Sequence, residues 1–155
     1  MTQAPLPLAG ASALILNTAG EYLLHLRDDV PGITNPGTWS LLGGHLDDGE
    51  STDEAVVREL AEEAGLVLPS LRPYTVVENR GIDRPATARV QVYLGSWDGD
   101  PEELPLTEGI MLRFFDGATT ARLRMAPWAR EIVAGHLRKT GCGARPRQRS
   151  EGGRV

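Results

Sequence analysis

A short segment bounded by helix-capping residues constrains the fold of this chain more than any other feature. Ser51 is followed three residues later by Glu54, which is the spacing of a capping box. Gly65 is the residue type that most often ends a helix in the left-handed conformation. Runs typical of strands lie on both sides of this segment. The sequence therefore predicts a helix over 51–65 that is set among strands.

The remaining elements follow from residue periodicity and from turn residues. The loop 28–37 contains two prolines and two glycines, and the strand after it is expected to end at Gly43 and Gly44. A short helix is expected over 116–123, and a terminal helix is expected over 128–137, after Pro127. Strands are predicted at 11–16, 21–27, 38–42, 72–79, 87–97 and 110–115. This order indicates an α+β fold in which a sheet lies between helices, as an α/β/α sandwich.

Length and charge indicate one domain with a basic end. The chain has 155 residues and a net charge of −5, and the segment 138–155 carries six basic residues and one acid. The body before it therefore carries −10, which argues against nucleic acid as a partner. We assign residues 1–139 to the domain and 140–155 to a Gly- and Arg-rich tail. A flexible, solubilising tail is one interpretation, and a tail that binds nucleic acid or an acidic partner is the other.

Cysteine content and hydropathy bear on the cellular compartment. Cys142 is the single cysteine, which excludes an internal disulfide framework and a cysteine-based zinc site. No run approaches the roughly 20 apolar residues that span a bilayer. Residues 1–7 lack the basic start and the apolar core of a signal peptide. A cytoplasmic location without membrane contact is therefore the expectation.

Three glutamates in the predicted helix carry the first indication of chemistry. At about 100° per residue, Glu59, Glu62 and Glu63 fall within one arc of about 100°. An opposite, apolar side is predicted at Val57, Leu60, Ala61 and Ala64. Such a carboxylate cluster is either a solvated helix face or a set of oxygen ligands for a hard divalent cation. The helix alone does not separate these two interpretations.

The residues around the helix favour the metal site. Gly43 and Gly44 allow a tight backbone whose carbonyls can face a cation, and Glu50 and Arg58 have opposite charges at the helix entrance. The full pattern is Gly44, five residues, Glu50, seven residues, and then Arg58-Glu59-Leu60-Ala61-Glu62-Glu63-Ala64-Gly65-Leu66. It resembles the Nudix box of the MutT-like hydrolases at every defined position.

The resemblance implies a fold, a reaction and a set of roles. The fold would be a mixed β-sheet between helices, with the box forming a loop–helix–loop. The reaction would be hydrolysis of a phosphoanhydride in a nucleoside diphosphate linked to another moiety, with Mg²⁺ or Mn²⁺. Glu59, Glu62 and Glu63 would bind the metal, assisted by a backbone carbonyl of Gly43 or Gly44. Glu50 and Arg58 would form a structural pair, and a homodimer remains open because dimers are common among relatives.

Outside the box, three residues are candidates with competing interpretations. The general base is assigned first to Glu59 and second to Glu108, which otherwise is an ordinary loop acid. Arg27 is either a ligand of a substrate phosphate or a surface arginine. Trp39 either stacks on a base or belongs to the core.

The substrate is left open between two classes of nucleotide. Gly81 stands where relatives that act on ADP-ribose carry a proline, and Ile82 and Asp83 stand where relatives that act on dinucleoside polyphosphates carry a tyrosine. The expectation is therefore a nucleotide-sugar or a nucleoside triphosphate. The alternative is a catalytically inactive nucleotide-binding or regulatory module, against which the intact glutamates argue.

Overall fold

Seven strands and three α-helices make up the part of the chain that the structure, a computed structural model, describes. Backbone is described for residues 4–144, and side chains are described up to residue 140. The strands are β1 Leu8–Leu16, β2 Tyr22–Leu26, β3 Trp39–Ser40, β4 Leu42–His45, β5 Arg72–Glu78, β6 Arg89–Ser96 and β7 Met111–Phe115. The helices are α1 Thr52–Ala64, α2 Gly117–Thr120 and α3 Pro127–Ala144.

The strands form one mixed sheet around β1. Strand β1 pairs with β6 in parallel and with both β2 and β4 antiparallel. Strand β5 lies outside β6, while β3 and β7 both pair with β2. Because β4 pairs with residues 10–13 of β1, the segment before α1 is fixed to the centre of the sheet.

Alternating side chains of the sheet separate two cores. Ala11, Ala13 and Ile15 of β1 pack with the apolar residues of α1. Leu14 points to the other face and packs with the apolar residues of α3, Ile132 among them. A sheet with one helix on each face is the predicted sandwich, so the predicted fold class is confirmed.

Both ends of α1 are formed by the predicted caps. The Ser51 hydroxyl accepts from the Glu54 N–H, and the Glu54 carboxylate accepts from the Ser51 N–H. Gly65 has φ +66°, and its N–H donates to the carbonyl of Ala61. These contacts fix the length and direction of the helix that carries the three glutamates.

The buried side of α1 differs from the prediction. Val57 is 54% exposed, whereas Ala55, Val56 and Glu63 are buried. The carboxylates lie at the border of the packed face rather than opposite to it, because the helix is rotated so that Glu63 points toward the sheet.

Three element boundaries also differ. Gly43 and Gly44 lie inside β4 rather than after a strand, since both pair with β1. Helix α2 is one turn long, and a 3₁₀ helix at Pro101–Glu103 was not predicted. Helix α3 continues to Ala144, past its predicted end at residue 137, and residues 145–155 of the predicted tail lie outside the described part of the chain.

Among residues 4–144, no helix combines the length and the apolar character needed to cross a bilayer.

Candidate functional site

Strand β4 brings its two glycines against the glutamates of α1. The Gly43 N–H donates to Glu63 Oε1 at 3.0 Å, and Glu63 is only 7% exposed. A Cβ placed on Gly44 would lie 2.3 Å from Glu59 Oε2. Gly43 has φ +146°, and a Cβ there would lie 2.3 Å from the carbonyl oxygen of Ala11. Gly43 therefore requires glycine for its backbone conformation and pairing, whereas Gly44 leaves room for the Glu59 carboxylate.

Arg58 joins the loop before the helix to the carboxylate cluster. Its Nε and Nη2 donate to the two oxygens of Glu50 at 2.7 and 2.8 Å, which is a bidentate ion pair. Its Nη2 also donates to the carbonyl of His45, and its Nη1 donates to Glu59 and Glu62 at 3.3 and 3.1 Å. The guanidinium thus fixes the loop while it partly neutralises the two carboxylates.

The pKa values of this group follow from its contacts. The Arg58 guanidinium, helped by the Asp47 N–H, lowers the pKa of Glu50 to about 2. Burial raises the pKa of Glu63 to about 8, against the opposing effect of the Gly43 N–H, and the carboxylates of Glu59 and Glu108 raise it further. Burial also raises the pKa of Glu59, although Arg58 opposes this shift. The charged form of the cluster is therefore costly without a bound cation.

The loop 107–110 places Glu108 next to the same cluster. The Thr107 N–H donates to the carbonyl of Glu63, and its hydroxyl donates to the carbonyl of Glu62, both at 2.9 Å. His25 Nε2 lies 2.7 Å from the carbonyl of Glu108 and must donate, because a carbonyl only accepts. The loop is held from two sides, and the Glu108 carboxylate is close enough to raise the pKa of Glu59 and Glu63.

The donor set fits a hard divalent cation. Glu59 and Glu62 already share one cationic atom, Arg58 Nη1, and the missing Cβ of Gly44 leaves room for the Glu59 carboxylate. Carboxylate oxygens are the ligands that Mg²⁺ and Mn²⁺ prefer. Within residues 4–144 no three acidic, histidine or cysteine side chains are gathered closely enough to hold an ion as they stand. At least one carboxylate must therefore rotate to bind an ion. The Glu62 side chain is 61% exposed, so it has room to do so.

A cavity of about 240 Å³ adjoins the glycine strand on its other side. Gly43 and Gly44 form part of its wall, and Arg27 lines it with Nε bound to the carbonyl of Thr34 at 2.8 Å. Trp39 does not line this cavity; its ring packs edge-on against Phe115, with the centroids 4.8 Å apart, and joins the core under α3. The structure thus brings Arg27 to the site and places Trp39 elsewhere.

Two residues that contact Glu108 or its loop were missed by sequence reasoning. His25 is 4% exposed and occupies an inward position of β2, where the strand pattern alone suggests a core residue. Thr107 lies in a loop without a motif. A buried histidine in an otherwise apolar strand is the one signal that the sequence offered, because such a side chain needs a hydrogen-bond partner.

Comparisons with known proteins agree with this geometry. Residues 6–135 match the sequence profile of the NUDIX domain. The chain is 46% identical over 56 residues to the putative 8-oxo-dGTP diphosphatase of Bacillus subtilis, which covers 36% of this chain and 34% of that protein. It is 35% identical over 92 residues to the nucleoside triphosphatase NudI of Salmonella agona, which covers 58% and 57%. The chain thus matches about a third to just over half of the length of these relatives.

Solved structures show the same fold. The MutT protein from Methanosarcina mazei Go1 superposes with a TM-score of 0.69 at 24% identity, covering 89% of this chain and 99% of that one. The NUDIX domain of Shewanella oneidensis NrtR, solved with ADP ribose, superposes with a TM-score of 0.69 at 19% identity, covering 89% and 90%. The profile match covers most of the chain and includes the whole glutamate helix with its glycine strand. The chain belongs to the NUDIX family.

Proposed function

We propose that this chain is a pyrophosphohydrolase that uses a divalent metal to cleave a phosphoanhydride bond in a nucleoside diphosphate derivative. The observation that carries the proposal is the position of Glu59 and Glu63 against the glycine strand β4, with Glu62 joined to Glu59 through Arg58 Nη1. A pyrophosphate is strongly negative, so an acidic site can accept it only with cations present. A metal ion held by these carboxylates would neutralise the phosphates and activate water.

The residues of the site divide into ligands and supports. Glu59, Glu62 and Glu63 would hold Mg²⁺ or Mn²⁺, with a backbone carbonyl of Gly43 or Gly44 as a further donor. Glu59 is the first candidate for the general base and Glu108 the second, since the loop 107–110 holds Glu108 beside the cluster. Arg58 and Glu50 fix the loop in front of the helix, and Arg27, which lines the cavity, would bind a substrate phosphate.

The named relatives support a nucleotide as the substrate. One is a putative 8-oxo-dGTP diphosphatase, another is a nucleoside triphosphatase, and a third was solved with ADP ribose. A nucleoside triphosphate or a nucleotide-sugar is therefore the proposed substrate class. A catalytically inactive nucleotide-binding module is the competing proposal, and it predicts binding without turnover.

The test is a panel of nucleoside triphosphates and nucleotide-sugars assayed with Mg²⁺ or Mn²⁺ and with a chelator. We expect hydrolysis that the chelator abolishes. Glu62→Gln and Glu63→Gln remove a metal ligand without changing shape, so each should lower kcat/KM by at least about 100-fold. Isothermal titration with Mn²⁺ should show weaker binding for both variants.

Glu103→Gln is the matched control, because Glu103 is an exposed acid of the 3₁₀ helix. It should keep the wild-type rate and the wild-type affinity for Mn²⁺. Full activity in both box variants would show that the ligand assignment is wrong. Nucleotide binding without any hydrolysis would favour the inactive module instead.

A further inference from the structure

The cavity beside the glycine strand is lined by a buried amide, that of Asn35, whose hydrogen bonding is incomplete. The cavity lies among the start of β1, the loop 27–38 and the connection between β5 and β6. Asn35 lines it and is only 7% exposed. Its volume of about 240 Å³ is below the roughly 300–1,000 Å³ of pockets that enclose a whole drug-sized ligand. One ring of a substrate fits such a space better than a complete nucleotide does.

Asn35 is held firmly in an unusual backbone conformation. Its φ is +50°, in the left-handed region that asparagine tolerates better than most residues. Its carbonyl accepts from the hydroxyl of Thr38 at 2.7 Å, and Thr38 is fully buried. Its Oδ1 accepts from the N–H of Ile82 at 2.9 Å. Residues held in sparsely populated conformations by several contacts occur preferentially at functional sites.

The contact with Ile82 also fixes which way the amide points. A backbone N–H only donates, so the atom that faces it must be the oxygen, and Nδ2 must point the other way. Among the described residues, the contact with Ile82 is the one hydrogen bond that the Asn35 side chain makes, and Nδ2 makes none. Buried donors in folded proteins are almost always paired. The donor group of Nδ2 is therefore open to a ligand in the cavity that Asn35 lines.

Several other polar groups at the cavity wall are donors, while the hydroxyl of Ser12, which is 4% exposed, can both donate and accept. Arg27 and Arg89 line the cavity, and each is anchored by its Nε to a backbone carbonyl, that of Thr34 and that of Leu6. The side-chain oxygen of Asn79 is already occupied, since it accepts from the N–H groups of residues 87 and 88 at 2.8 and 3.1 Å. A ligand edge that carries oxygen acceptors suits Arg27, Arg89 and Nδ2 of Asn35.

From these contacts we propose that Asn35 determines base specificity, with Nδ2 donating to a keto oxygen of the substrate's base. The proposal rests on the proposed function and adds to it the class of nucleotide. Guanine and uracil carry a keto oxygen where adenine and cytosine carry an amino group. The preferred substrates are therefore nucleotides of guanine, uracil or thymine. A phosphate oxygen is the other source of the same acceptor chemistry, and the experiment separates the two.

The variant Asn35→Asp isolates the donor. Aspartate has the same shape, tolerates the left-handed backbone and keeps an oxygen for the Ile82 N–H, but it cannot donate. The measurement is kcat/KM for UTP and CTP, which differ in the group at C4, keto against amino, and in the hydrogen that only uracil carries at N3. The wild type should favour UTP by at least about tenfold, and Asn35→Asp should lower the UTP:CTP ratio by about tenfold or more.

Asn79→Asp is the control for charge, because it also places a carboxylate at the cavity wall but keeps the oxygen that accepts from the N–H groups of residues 87 and 88. It should lower the rates with both nucleotides and leave the UTP:CTP ratio unchanged. Melting temperatures of both variants should stay close to that of the wild type. An unchanged ratio in Asn35→Asp would overturn the proposal.

Two further measurements separate a phosphate acceptor from a base acceptor, and a failure of the proposed function from a failure of the role of Asn35. If Asn35→Asp changes the UTP:UDP ratio but not the UTP:CTP ratio, the acceptor is a phosphate oxygen and the assignment to the base is wrong. If the wild type hydrolyses no nucleotide, the proposed function fails. Equilibrium binding of UTP and CTP to the wild type and to Asn35→Asp then tests Asn35 on its own, and equal affinities would overturn the proposal.

Discussion

At the scale of single residues, the site depends on the absence of a side chain at Gly44. Gly44 has an ordinary backbone conformation, so the backbone at this position can also accommodate alanine. The added Cβ would lie 2.3 Å from Glu59 Oε2 and would displace that carboxylate. Gly43 is a poorer probe, because its left-handed φ and its contact with Ala11 would disturb the sheet as well.

We therefore expect Gly44→Ala to lower kcat/KM by about 100-fold, the usual effect of moving a catalytic group by about 1 Å. Affinity for Mn²⁺ should fall in parallel, while the far-ultraviolet circular dichroism spectrum stays unchanged. Gly135→Ala is the control, because its Cβ would meet Arg138 only at 3.6 Å on α3. It should keep activity and gain up to about 1 kcal/mol of stability. Wild-type kinetics in Gly44→Ala would contradict the proposed role of the glycine.

At the scale of elements, the caps of α1 set the position of the glutamates. Ser51→Ala removes the hydroxyl that accepts from the Glu54 N–H, at a cost of about 1 kcal/mol in the free energy of unfolding. Urea denaturation measures this change. Ser70→Ala is an exposed serine outside a cap and should stay within about 0.5 kcal/mol of the wild type. Equal stability of the two variants would show that the capping box contributes nothing.

The sequence predicted α1 and its caps because those signals are local. The same applies to the strands, whose alternation and turn residues lie within a few positions of each other. The rotation of α1 was predicted wrongly, since Glu63 is buried by its contact with Gly43, twenty residues away. Periodicity alone assigns an acidic residue to solvent, and it has no means of detecting a backbone N–H in another strand.

Residues of the site outside the box were harder to predict for the same reason. Glu108 could be named as a candidate, but its position depends on His25 and Thr107, which come from distant parts of the chain. Asn35 was overlooked because Thr-Asn-Pro-Gly is typical of any surface loop. Its contact with Ile82 and its place in the cavity wall depend on residues far away in the sequence.

At the scale of the whole molecule, one buried histidine links the sheet to the terminal helix. His136 of α3 lies 2.7 Å from the hydroxyl of Tyr22, and its ring packs edge-on against Tyr74. Burial raises the pKa of Tyr22 to about 12, so its hydroxyl stays protonated and can donate to the neutral ring. Burial, together with Lys139, lowers the pKa of His136 below its usual value of about 6.5.

Stability should therefore depend on pH through His136. Its folded-state pKa is lowered, so the unfolded chain takes up a proton before the folded chain does. The contribution of His136 is complete above about pH 6.5 and is lost as the pH falls from there toward the folded-state pKa. His136→Gln, whose carbonyl can accept from Tyr22, should unfold in urea with a weaker pH dependence between pH 5 and 7. Parallel curves for the two proteins would contradict this assignment.

The parallel pairing of β1 with β6 sets the order in which this protein can be completed during synthesis. Residues 8–16 emerge from the ribosome before residues 89–96, with which they pair in parallel. The last pair of this ladder, Leu16 with Ser96, can form only after Ser96 has been synthesised. Until then the central strand has one open edge, and contacts between such distant segments form slowly. The hairpin with β2 and the capped helix form early. The cavity that Asn35 lines is complete only after β6 has paired, because Arg89 and Val90 of β6 form part of its wall. A ribosome that stalls before Ser96 therefore leaves a chain with an unpaired strand and an unfinished pocket, which is a state that chaperones or proteases recognise.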